Sequence, residues 1–151
     1  MTVRLSTALR TALAGSTGFA ATFANGVIEI YSGTQPATAD AAVTGTLLGL
    51  VTLGSGAFTP GSSTNGLTFA AASGGAVAKT GTWSFNGIAG GTAGWFRLKG
   101  NAVDAGAIST VLPRLDGSIA VSGADLNLSN IVIAVSAPNT VDTFTFTIPA
   151  Q

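Results

Sequence analysis

The stretch Arg114-Leu-Asp-Gly-Ser-Ile-Ala-Val-Ser-Gly-Ala-Asp-Leu-Asn-Leu-Ser-Asn-Ile-Val-Ile133, followed by Asn139-Thr-Val-Asp-Thr-Phe-Thr-Phe-Thr-Ile-Pro149, decides the fold class. Apolar residues recur at every second position: Ile119 and Val121, Leu126 and Leu128, then Phe144, Phe146 and Ile148, with small polar residues between. A period of two puts successive side chains on opposite faces of a strand, so one face is buried and the other is wet or meets a partner. The spacing predicts strands over about 117–122, 125–136 and 141–148, with turns near Gly123 and Pro138-Asn139.

Working upstream, Val27-Ile-Glu-Ile-Tyr-Ser-Gly33 reads as a strand, and Thr46-Leu-Leu-Gly-Leu-Val-Thr-Leu53 as one buried on both faces. Between them, residues 34–45 form a loop with Pro36 as its stiff point. Short strands are expected at about 67–71, 77–85 and 94–99, and the Gly-rich run 86–92 is expected to close a hairpin between the last two. Residues 100–113 read as irregular. Many short strands with Gly-rich turns and scarcely any helix make an all-β, antiparallel β-sandwich, jelly-roll-like in topology.

Residues 1–26 are set apart as an N-terminal helix and docking arm, and 27–151 as the sandwich body. Leu5, Leu9 and Leu13 form an i, i+4, i+8 stripe that predicts a short helix over 2–14, capped by Ser6 or Thr2 and ended by Gly15. Such a helix needs its leucine face buried. The body is expected to fold without residues 1–18. Gly15, Ser16 and Gly18 interrupt the apolar run too early for a signal peptide, so Met1 is expected to be retained.

Composition narrows the function. Only 8% of the 151 residues are charged and the formal net charge is zero, against roughly 25% charged residues in an ordinary soluble protein. A surface covered by Ala, Gly, Ser and Thr, without net repulsion, favours association, so a homo-oligomer, dimer or trimer, is expected. Six scattered basic residues give no footprint for nucleic acid and no polybasic segment for anionic lipid. No apolar run is long enough to span a membrane as a helix.

Chemistry is equally constrained. Without histidine or cysteine, the commonest bases, thiolates and metal ligands are missing. Asp116 and Asp125 are the nearest approach to a glycosidase carboxylate pair, but each sits in a turn-like context. Asp125-x-Asn127-x-Ser129 imitates the start of a calcium loop and then fails, with Asn130 where glycine belongs and Ser136 where the bidentate Glu belongs. No catalytic, cofactor-binding or metal site is therefore assigned. Trp95, Arg97 and Lys99 share one strand face opposite Phe96 and Leu98. If the latter point inward, the former are exposed, and with Leu5, Leu9, Leu13 and Phe19 of the arm they make the candidate interface. The alternatives for that face are cover by a second layer, Trp95 stacked under its own arginine, or carbohydrate binding through an exposed Trp95.

The segments Gly26-Val-Ile-Glu-Ile-Tyr-Ser-Gly-Thr-Gln-Pro-Ala-Thr-Ala-Asp40, Trp95-Phe-Arg-Leu98 and Leu115-Asp-Gly-Ser-Ile-Ala-Val-Ser-Gly-Ala-Asp-Leu-Asn-Leu128 resemble small virion structural proteins of tailed bacteriophages. The resemblance spans most of residues 19–149 and is most like a capsid decoration (cement) protein. It implies a jelly-roll-like body with a docking arm, no catalytic residues, the major capsid protein or other virion proteins as partners, and a place on the virion, most like the capsid surface. A neck, tail or fibre protein with a receptor- or glycan-binding role is the alternative. The outward faces Ser118, Ala120 and Ser122, and Thr143, Thr145 and Thr147, carry no charge. Exposed edges normally carry some, so this sheet is expected to be sheltered by another protein.

Overall fold

The structure is a computed structural model and describes residues 3–148. In chain order the elements are β1 (Arg4–Leu5), α1 (Thr7–Ala14), α2 (Phe19–Thr22), β2 (Val27–Ser32), β3 (Leu47–Leu53), β4 (Thr68–Phe69) and β5 (Ala76–Thr80). They continue with β6 (Trp83–Asn86), β7 (Gly91–Lys99), β8 (Arg114–Ala120), β9 (Leu126–Asn127), β10 (Val132–Ile133), β11 (Pro138–Val141) and β12 (Thr145–Thr147). A broad sheet runs β1-β8-β7-β2-β3-β6-β11, with β10 added to β7 and β9 to β8. A smaller sheet, β12-β5-β4, forms a second layer. The chain is thus all-β and sandwich-like, with the short helix at its N-terminal side, as the alternation predicts.

Aromatic side chains join the layers. From the smaller sheet and its flanks, Phe69 and Phe144 meet Trp83 of the large sheet at 5.3 and 5.4 Å between ring centroids, and Phe144 meets Phe96 at 6.1 Å. Phe146 stacks on Phe19 at 4.2 Å. The core face of the large sheet carries Ile28, Ile30, Phe96, Leu98 and Leu115, all buried. Gly49 and Gly117 keep it flat enough to hold the rings. A Cβ on Gly49 would lie 2.2 Å from Phe85, and one on Gly117 2.6 Å from Phe96.

Several expectations are corrected. Helix α1 starts only at Thr7, because Arg4 and Leu5 pair with Asp116 and Leu115 as a strand. Ser6 caps it by accepting from the Leu9 N–H, and Gly15 ends it; Met1 and Thr2 lie outside the described residues. The expected strand 77–85 breaks at Gly81, whose φ of 72° turns the chain between β5 and β6. Residues 86–92 close no hairpin: β6 pairs with β3 and β11, whereas β7 pairs with β2, β8 and β10. The reason is at Gly87, which bonds the returning chain twice, donating to Ala137 O and accepting from Ser136 N–H. The long strand expected over 125–136 survives only as β9 and β10.

The arm is also part of the body. Leu9 is fully buried, Phe19 and Phe23 belong to the core, and Ser6 donates to Leu112 O while accepting from the Arg114 N–H. Folding without residues 1–18 would leave that core open. Replacing Leu9 with Ala is expected to lower the unfolding free energy by about 2–5 kcal/mol, measured by urea denaturation. Deleting residues 1–18 is expected to abolish the cooperative transition.

Candidate functional site

Cross-strand register builds the second face of the large sheet. Glu29 lies opposite Arg97, which lies opposite Asp116, so β2, β7 and β8 present a row of alternating sign. One pair along, Lys99 lies opposite Arg114. On this face Arg97 holds Asp116 through both carboxylate oxygens, Nε to Oδ1 and Nη2 to Oδ2, each at 2.7 Å. Arg114 holds Asp104 in the same fork, at 2.7 and 2.6 Å. Lys99 Nζ donates to Glu29 at 2.7 Å, a diagonal contact, and Tyr31 Oη donates to the other Glu29 oxygen at 2.8 Å.

Two long loops, 33–46 and 100–113, cover this face. The guanidinium groups hold them by their carbonyls: Arg97 donates to Ala41 O, Arg114 to Ala39 O and Arg4 to Pro36 O. Lys99 donates to Asp104 O. The loops also bond each other, Val43 N–H to Gly106 O and Ser109 N–H to Asp40 O. Asp40 in turn accepts from the N–H and hydroxyl of Thr7, fixing the start of α1.

The exposure expected for Trp95, Arg97 and Lys99 is therefore wrong. Trp95 and Arg97 are fully buried and Lys99 is 6% exposed. Trp95 stacks on Tyr31 at 4.6 Å and sits under its own arginine at 5.6 Å, so it offers no platform for a sugar. Phe96 and Leu98 do face the core; the error lay in taking the opposite face as wet. Of the arm residues, Leu9 and Phe19 are buried, while Leu5 and Leu13 are half-buried beside an apolar cleft. The residues missed were Glu29, Asp104 and Arg114. For Glu29 and Arg114 the signal was charge at strand positions, which becomes readable only when the register is known; Asp104 lies on the loop 100–113, where no strand pattern marks it.

Burial and partners shift the acids in opposite directions. Burial raises the Asp116 carboxyl, and the bonds and charge of Arg97 only partly offset it. Burial also pushes Asp104 upward, but bonds from Arg114 and the Gly106 N–H, with the charges of Lys99 and Arg114, outweigh it and leave it lowered. Tyr31 is raised, by burial and then by Glu29 beside it. These groups saturate one another, which leaves Asp116 unfit for the carboxylate pair considered above. Asp125 accepts from the Ser118 N–H and hydroxyl, and Asn127 from the Ala124 N–H. Among the described residues no cluster of three or more acidic, His or Cys side chains could hold a metal ion, and no helix is long and apolar enough to cross a membrane.

Two measurements check this assignment. Arg97→Met or Asp116→Leu alone is expected to cost about 3–5 kcal/mol, because each strands a buried charge, whereas the double variant is expected to lose far less; chemical denaturation of all three decides it. The lowered Asp104 contributes stability that is complete above its unfolded value of 3.8 and is lost as pH falls through its folded one. Asp104→Asn removes that contribution, so its unfolding free energy is expected to vary less with pH below about 4 than that of the parent. No protein-family model, curated protein or solved structure matches the chain.

Proposed function

We propose that the chain is a non-enzymatic structural protein of a tailed-phage virion that binds and stabilises the capsid lattice as a decoration (cement) protein. The observation that carries this reading is where the few charges go. Six of the twelve charged side chains form the three ion pairs beneath the loops, and none of these six is more than 12% exposed. With few charges such as Arg10 and Asp142 exposed, the outer surface is mostly small neutral residues and exposed β-branched ones: Val103, Ile108 and Val111 on one loop, Ile88, Val132 and Val135 around β10. A protein that must stay apart from its neighbours carries charge outside. This one is suited to repeated neutral contacts, where many weak interfaces on a symmetric lattice add through avidity.

The segments resembling phage structural proteins support the same reading and choose the setting. Thr143, Thr145 and Thr147 are exposed on the single chain, and in the proposed assembly this uncharged edge lies against another subunit. With Trp95 buried, contact falls to these threonines and the exposed aliphatics. The test is stoichiometry: quantitative mass spectrometry of purified particles is expected to find the chain in hundreds of copies, released without loss of tail proteins. A dozen copies or fewer would place it at the neck or tail, and absence from the particle would end the virion reading.

A further inference from the structure

We propose that copies of this chain join head to tail, the arginines at the β1 edge of the large sheet on one copy receiving Asp142 from the β11 edge of the next. The two edges are the ends of one sheet. Among the described residues β1 pairs with β8 alone and β11 with β6 alone. Six inter-strand spacings of about 4.8 Å separate them along the sheet. Opposite charge stands at these two ends. Arg4 lies on β1 and Arg10 on α1 directly after it, and both line a hollow of about 390 Å³ walled on the other side by Thr38 and Asp40. Asp142 follows β11, where the chain leaves for β12, and is exposed.

Neither end is satisfied within the chain. Among the described residues the ion pairs take up Arg97, Lys99 and Arg114, so Arg4 and Arg10 meet no carboxylate at bonding distance. Arg4 gives an N–H to Pro36 O and Arg10 one to the Thr7 hydroxyl, which leaves most of their donors for an incoming acceptor. Both Asp40 oxygens are taken by Thr7. Asp40 thus lowers the charge of the hollow without closing it, and two cations against one carboxylate leave a single positive charge. Asp142 accepts from the Thr140 hydroxyl at 3.2 Å and brings the single negative charge that matches. The rest of the chain gives the same division. With the three ion pairs cancelled, Arg4, Arg10 and Asp40 sum to +1, and Lys79, Asp125 and Asp142 sum to −1. Zero net charge is here a separated pair of charges, which draws copies together in one sense and repels the reversed one. Because the patches lie at opposite ends, each contact leaves both outer ends open. The association is heterologous and continues to rings or filaments, where a two-fold dimer would stop. A lone exposed ion pair is weak, so the contact acts at high local concentration. The inference concerns copies of this chain and stands whether or not they sit on a virion.

The full chain is followed by sedimentation velocity from micromolar to millimolar concentration, in low and high sodium chloride. Species larger than a dimer are expected at millimolar concentration in low salt, dispersing as salt screens the contact. Arg10→Glu makes the hollow net negative and Asp142→Lys makes the other end positive; both positions are exposed. Each reversal is expected to weaken self-association about tenfold with melting unchanged. The variant carrying both is expected to recover it, as is a mixture of the two single variants. Should Arg10→Glu unfold, Arg10→Gln keeps a donor for Thr7 and is expected to weaken association in its place. A monomer at every concentration, arrest at a dimer, or association strengthened by salt overturns the proposal. So does a reversal without effect, or a double variant that stays dissociated.

Discussion

The bidentate pair between Arg97 and Asp116 constrains everything around it. Both side chains are wholly excluded from water, so the sheet face on which they lie cannot be left half-covered. A fork of two of the five guanidinium N–H groups answers much of the desolvation, but the others still need acceptors, and backbone is one source. Loop 33–46 supplies one through Ala41 O. Irregular chain is usually kept at the surface because its backbone polar groups find no partners inside. Here the cations of the sheet provide those partners, so two long loops can lie flat on a sheet without strands of their own.

This arrangement explains why the fold was legible in the sequence and the site was not. Alternation in Ile28 and Ile30, Phe96 and Leu98, or Phe144 and Phe146 reports a buried face directly, and it yielded the all-β, two-layer body. The opposite face offered Glu29, Arg97, Lys99 and Asp116, which by type alone look solvated. Burial of such residues depends on partners across strands, such as Asp116 for Arg97, and on a covering loop, such as Asp104 O for Lys99. Periodicity carries no information about either. Pairing failed for a related reason: Gly-rich 86–92 suits a hairpin locally, but Gly87 is occupied by contacts from residues 136 and 137.

The two faces also divide the labour of stability. On the core side the rings of Phe19, Trp83, Phe96 and Phe144 pack with buried aliphatic side chains such as Leu9, Ile28, Ile30, Leu48 and Leu98. On the lid side the stacked pair Trp95 and Tyr31 is buried as well, and ionic bonds hold the loops. That leaves the N-terminal arm a double attachment: Leu9 enters the core, while Ser6 and Thr7 bond to residues 112, 114 and 40 of the lid and sheet. An arm fixed from both sides is scaffold, and freedom to dock elsewhere is confined to the cleft and surface beside it.

A chain of 21 glycines with few large side chains faces a problem of register, because Ala, Gly, Ser and Thr fit against one another in many alignments. A one-residue slip is opposed by the core face. A two-residue slip keeps inside and outside intact, and hydrophobic pattern penalises it little. The ion pairs penalise it heavily. Sliding β8 by two residues against β7 would set Arg97 opposite Arg114 or Ser118 in place of Asp116, whereas a slip of β2 in one direction would set Glu29 opposite its own partner Lys99 and is not opposed by that pair. The first leaves a buried arginine against a like charge or a neutral hydroxyl, at about 3–5 kcal/mol for each stranded partner. Charges placed on the outside of so neutral a protein would favour solubility; placed beneath the loops, they select one alignment of β8 on β7.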